Sequence, residues 1–118
     1  MLMKSDSGHS YTKEDCYGSV GEGWHSLINI MFEAIDKTPM PVYITDCKEK
    51  WGGLRVYWNA SSGGEEVYTE EDFNSFDSLI IALEERSFSI CEACGQAGKP
   101  RDTGWVKTLC DTCYSEGH

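Results

Sequence analysis

Near the C-terminus the chain reads CEACGQAGKPRDTGWVKTLCDTC, and its four cysteines, Cys91, Cys94, Cys110 and Cys113, are the residues best spaced for chemistry. Each pair encloses two residues, and fifteen residues, Gly95 to Leu109, separate the pairs. A two-residue gap lets the backbone curl so that both sulfurs of a pair point inward, and two such knuckles offer four sulfurs to a tetrahedral ion. Gly95 supplies the permissive backbone such a knuckle needs. A strand around Trp105–Leu109 is expected to bring the chain back and close the site. The spacing predicts one structural Zn2+. Four sulfurs fill its coordination sphere, so the ion is expected to stabilise the fold and not to catalyse. An iron–sulfur cluster accepts the same four thiolates. A redox pair usually comes as a single Cys-x-x-Cys on a βαβ scaffold, which this sequence does not suggest. Cys16 and Cys47 remain, and read as ordinary semi-buried thiols outside the ligand set.

Beyond the cysteines, catalytic signals are lacking. Of the three histidines, His9 lies in a polar N-terminal stretch, His118 is the last residue, and His25 opens a helix, where a structural role is the ordinary one. The sequence holds no Gly-rich phosphate loop, no Gly-x-Ser-x-Gly elbow and no His-Glu-x-x-His pair. A non-enzymatic protein is the expectation. The stretch CKEKWGGLRVYW is the other one of interest, because it concentrates Lys48, Lys50 and Arg55 beside Trp51 and Tyr57 in acidic surroundings. Arginine and aromatic groups recur in binding hot spots and can also stack on bases. These five residues are the candidate partner-binding set. The plainer alternative is a hairpin with Trp51 folded over the core and the basic groups paired with an acidic helix.

The elements that must position these residues are legible in part. Residues 1–19 are polar, without clear periodicity, and read as a loose leader whose end Tyr11, Cys16 and Tyr17 could pin. Trp24, Leu27, Ile28, Met31, Phe32 and Ile35 recur at helical spacing, and Pro39 and Pro41 should end that helix near Lys37. Val42–Glu49 and Leu54–Asn59 read as two strands joined through Trp51-Gly52-Gly53. In the second, Leu54, Val56 and Trp58 point one way and Arg55, Tyr57 and Asn59 the other. A short strand around Val67 and Tyr68 is also expected. Thr69 is placed as the N-cap of a second helix, with Glu70, Glu71 and Asp72 favoured by the helix dipole in its first turn. Its stripe is Phe73, Phe76, Leu79, Ile80 and Leu83. Residues 69–86 carry six acids against Arg86, a net of −5, which is ordinarily a solvated face. The fold class is therefore α+β: a polar leader (1–19), a helix–β-hairpin–helix domain (20–88) and a closing C-terminal zinc ribbon (89–118).

Composition bounds the rest. The chain has 118 residues and 40% hydrophobic residues, enough for one modest core. No apolar run approaches the roughly 20 residues that span a bilayer. The start, MLMKSDSGHS, has no signal-peptide stretch, so a cytoplasmic setting is expected, where paired cysteines more often bind metal than each other. Ten bases against twenty acids leave a formal charge of −10. That charge disfavours bulk attraction to nucleic acid and suits a basic protein partner, or solubility alone.

Three stretches in order, Gly23-Trp24, Lys48-Glu49-Lys50-Trp51-Gly52-Gly53-Leu54-Arg55, and the two cysteine pairs with Gly104-Trp105 between them, resemble a group of uncharacterised small bacterial and phage proteins with a C-terminal zinc ribbon. The resemblance covers about residues 21–114 and implies the architecture and a bacterial or phage setting, without an activity. In such a setting a small acidic protein is expected to bind, and to inhibit or regulate, another protein, as immunity and phage counter-defence proteins do. The alternative is a nucleic-acid-associated zinc-ribbon factor using Lys48, Lys50, Arg55, Lys99, Arg101 and Lys107 as a local basic strip.

Overall fold

Thr12 opens the first helix with a reciprocal cap. Its hydroxyl accepts from the Asp15 N–H (3.1 Å) while the Asp15 carboxylate accepts from the Thr12 N–H (2.9 Å). The computed structural model describes residues 10–61, 68–102 and 104–117. From that cap runs helix α1 (Lys13–Ser19), which buries Cys16 completely. The second half of the expected polar leader is thus a helix built into the body. The Tyr11 N–H donates to the Ile44 carbonyl (2.8 Å), and the Tyr17 ring stacks on His25 at 4.3 Å. Residues 1–9 of that leader lie outside the described residues, as does Val67 of the expected short strand.

A 3₁₀ turn (Glu22–Trp24) leads into helix α2 (His25–Lys37), which ends where the prolines require. Trp24, Leu27, Ile28 and Met31 form its buried stripe. Strands β1 (Val42–Lys50) and β2 (Gly53–Ala60) pair antiparallel, with a register shift between Ile44 and Asp46. Lys50 pairs with Gly53, so Trp51-Gly52 is the two-residue turn. Both residues have positive φ, 57° and 82°, as a type I′ hairpin demands. Gly52 adopts that backbone freely, whereas Trp51 does so at a cost of about 1–2 kcal/mol for an L-residue.

Helix α3 (Glu70–Ser87) begins at Thr69 with a second capping box, closed by Asp72. It buries Phe76, Ile80, Leu83 and Ser87. Phe73, expected in that stripe, stays 43% exposed and leans on Trp58 at 5.1 Å between ring centres. The C-terminal half of α3 seals the edge of β2. The Leu54 N–H donates to Ser87 Oγ (2.8 Å) and the Val56 N–H to Glu84 Oε2 (2.9 Å), so an otherwise open strand edge is satisfied by side chains. Ser87→Ala leaves the buried Leu54 N–H without an acceptor. It is expected to cost about 1–3 kcal/mol, read as a shift in the denaturant midpoint at unchanged slope.

The C-terminal unit contains a small antiparallel hairpin, β3 (Lys99–Arg101) with β4 (Lys107–Leu109), and the short helix α4 (Asp111–Ser115). The strand expected from Trp105 begins only at Lys107, because Gly104 (φ 87°) and Trp105 form a bend. This unit is knitted to the body. Trp24 Nε1 donates to the Ile90 carbonyl (2.9 Å), the Gly23 N–H to the Glu92 carbonyl (2.9 Å), and Thr108 Oγ1 to the Gly52 carbonyl (2.6 Å). The architecture is α+β, with two small antiparallel hairpins and their helices. No helix among the described residues is long and apolar enough to cross a membrane.

Candidate metal centre and the hairpin tip

Cys91, Cys94, Cys110 and Cys113 converge as their spacing predicts. Their sulfurs all lie within 4.8 Å of one another, and Cys94 and Cys110 are 3.7 Å apart. Cys91 and Cys94 sit on a turn in which the Gly95 N–H donates to the Cys91 carbonyl (2.9 Å), and Gly95 itself takes φ 87°. Cys110 caps α4, its sulfur accepting from the Cys113 N–H (3.4 Å). The four side chains can hold one metal ion, with every position taken by sulfur.

The electrostatics of the cluster are those of a site that wants a cation. Burial raises the Cys91 thiol, but the N–H groups of Cys110, Cys94 and Ala93 outweigh it and bring the thiol down to about 6. The Cys113 thiol is pushed up, by burial first and then by its three sulfur neighbours. Cys94 also ends raised: the Gln96 N–H favours its thiolate, and burial with the neighbouring sulfurs overrides that. One thiolate forms readily and resists the formation of others beside it, and a bound cation removes that conflict.

Cys16 and Cys47 stand apart from the cluster and are fully buried, not half-buried as expected, because α1 closes over them. The neighbouring Cys16 thiol raises that of Cys47, and Cys47 lowers that of Cys16; burial raises both.

The second candidate set lies on and beside the hairpin. Lys48 and Arg55 are cross-strand partners on the outer face. Lys48 reaches Asp46 (3.4 Å) and lies over the Tyr57 ring (5.6 Å), and among the described residues no ion pair joins Lys48, Lys50 or Arg55 to α3 as the plainer alternative required. Trp51 is not folded over the core; it is 67% exposed. With Lys50 it lines a hollow of about 510 Å³ whose other walls are Glu49, Gly104, Trp105 and Val106. Trp105, 68% exposed, lines this hollow but was not in the candidate partner-binding set, because its sequence neighbours suggested a strand residue. The signal available was a second Gly-Trp pair in a chain with four tryptophans.

Glu49 is half-buried beside the hollow, and its Oε2 accepts the Gly52 N–H (2.8 Å). Glu92 lies near it. Burial raises the Glu92 carboxyl, the Thr108 N–H partly offsets this, and the Glu49 charge adds to the rise. Of the wider basic strip, Arg101 is committed internally. It pairs with Asp111 (2.6 Å), donates to the Leu109 carbonyl (3.2 Å) and covers the Tyr114 ring (4.5 Å). The Asp111 carboxyl is lowered accordingly by Arg101.

Gly23-Trp24 lies against the Cys91 knuckle, the hairpin turn against Thr108, and Trp105 lines the same hollow as Trp51. The chain matches no protein-family model, no curated protein and no solved structure.

Proposed function

We propose that this chain is a small, acidic, zinc-binding, non-enzymatic protein that binds another protein and inhibits or regulates it in the cytoplasm of a bacterial or phage-infected cell. Zinc suits the four-cysteine unit on geometry: a Zn–S distance of about 2.3 Å implies tetrahedral S···S edges of roughly 3.8 Å, and Cys94 and Cys110 stand 3.7 Å apart. In this reading the unit is a zinc ribbon that staples the C-terminus to the helix–hairpin–helix body. The observation that carries the binding role is the exposed aromatic tip. Trp51, Trp105 and Tyr57 stand out from the hairpin and ribbon with Lys48, Lys50 and Arg55 beside them, on a turn anchored by the Thr108 hydroxyl. Exposed aromatics on a fixed scaffold are the residues from which interface hot spots are made. The net charge of −10 supplies long-range attraction to a basic partner.

The test is capture of a protein from nuclease-treated bacterial lysate on the tagged chain, at low and at raised salt. One dominant protein, weakened by salt and retained about 30-fold less by a Trp51→Ala/Tyr57→Ala double variant, is the expected result. Loss of every partner on nuclease treatment moves the nucleic-acid alternative to first place. An association indifferent to salt removes the electrostatic part of the reading.

A further inference from the structure

We infer that the hollow between Trp51 and Trp105 is a receptor for an arginine side chain presented by a partner protein; this rests on the protein-binding reading above and names the chemistry that the site takes.

Four observations converge on a cation of planar shape. Two indoles more than two-thirds exposed line one hollow of about 510 Å³, and indole faces are the best cation–π surfaces among side chains. Glu49, half-buried in its wall, gives one carboxylate oxygen to the turn N–H of Gly52, and no cation is paired with it among the described residues. A guanidinium that lies on an indole face can also reach such an oxygen with its fork of donors. The chain as a whole is strongly negative, so the arriving group is drawn by the field as well as by the contact.

The backbone supplies the fourth observation. Trp51 occupies a positive-φ turn position where asparagine or glycine is at ease. Strain accepted at an exposed site is the signature of a side chain kept for what it touches. A nucleobase could also stack on the indoles, but its phosphate would approach a chain of charge −10. Lys50 also lines the hollow and works against a cation. Lys50 is exposed, so its charge is solvated and contributes less than the half-buried Glu49 and the two indoles.

The experiment is an NMR titration of the intact, metal-loaded chain with a capped Gly-Arg-Gly tripeptide, following the indole N–H signals of Trp51 and Trp105. Parallel titrations use the citrulline tripeptide, equal in shape but neutral, and adenosine. The expected result is a saturable shift of both signals by the arginine peptide. Affinity should fall at least about tenfold with citrulline, and likewise in Glu49→Gln, which keeps the acceptor for Gly52 but removes the charge. Trp51→Asn suits the turn and should keep or raise the melting temperature while losing the shift at Trp105. Equal binding of citrulline, tighter binding of adenosine, or no saturable shift overturns the proposal. If the peptide fails while Trp51→Ala/Tyr57→Ala still releases a captured protein, arginine is the wrong ligand and the protein-binding reading stands. If the peptide binds as described and no protein is captured, the site stands and that reading falls.

Discussion

Cys91→Ser is expected to cost the chain its metal ion and to loosen everything from Ile90 to the C-terminus. In native mass spectrometry the wild type should carry one zinc per chain and the variant none; iron, or no metal in the wild type, would overturn the zinc assignment. The magnitude follows from what the ion holds. Structural zinc contributes of order 10 kcal/mol to small domains that have little else to fold them. This chain keeps a separate core around Trp24, Leu27, Ile44 and Ile80, so it should retain helical signal and lose only part of that amount. The loss reaches the body because the Trp24 indole N–H and the Gly23 N–H give their hydrogen bonds to carbonyls of the released segment. Each leaves a buried donor unmatched at about 1–3 kcal/mol, and a kcal/mol is worth about 4–8 °C in a domain of this size. A melting temperature lowered by more than about 10 °C is therefore expected, with amide protection lost at Trp24 as well as in the ribbon. Strong chelation of the wild type should reproduce it, and so should acid, since protons compete with the metal for thiolate ligands. An apo chain that melts where the metal-loaded chain does would show that the ion is not structural.

The second large effect is expected at a residue far from the cysteines in sequence. A methyl group on Gly23 would lie 2.0 Å from the Cys91 carbonyl oxygen and 2.5 Å from the Gly95 amide nitrogen. Both are backbone atoms of the first knuckle and cannot swing aside. Gly23→Ala must push the knuckle away from the 3₁₀ turn, break the bond from its own N–H to Glu92, and displace two of the four sulfurs. Overpacking together with the lost hydrogen bond should cost roughly 3 kcal/mol or more. Metal affinity should fall about 10- to 100-fold, as it does when groups supporting a ligand are disturbed. A competition titration with a chromogenic chelator reads the second quantity directly. Gly18→Ala is the control: nothing lies within 4 Å of the added methyl, and an alanine within α1 should gain about 0.5–1 kcal/mol. If the two variants behave alike, the contact between turn and knuckle carries no energy.

That contact marks where sequence reasoning stops. Both long helices, the N-cap at Thr69, the end at Lys37 and the two strands of the hairpin were legible because each rests on residues within a few positions of one another. Helix α1 was not. It has seven residues, too few for a periodic stripe, and is held by burial of Cys16 and by the Tyr11 bridge to β1. Phe73 was assigned to the core by its spacing, yet in the folded chain it stays half in water against Trp58. Trp51 illustrates the same limit from the other side. Gly52-Gly53 announced the turn, but a large apolar residue beside a turn can fold inward or stand out, and the direction depends on what occupies the space around it. Here the Phe88 ring already fills the place next to Gly53, and Val106 the place next to Gly52.

By itself, then, the sequence determined the four sulfurs and their convergence, since Cys-x-x-Cys spacing closes each knuckle locally and two knuckles can share one ion. It also determined the amphipathic helices and the hairpin between them, through periodicity, caps and turn residues that act over less than two helical turns. Only the tertiary structure decided that Trp24 holds Ile90 across 66 positions, that Thr108 holds Gly52 across 56, and that Trp105 comes to stand beside Trp51. Such pairings depend on the three-dimensional packing of elements whose order along the chain says nothing of their distance. The four-cysteine cluster could be read from spacing because each knuckle's geometry is local, whereas the hollow at the hairpin tip exists only once the C-terminal unit has docked.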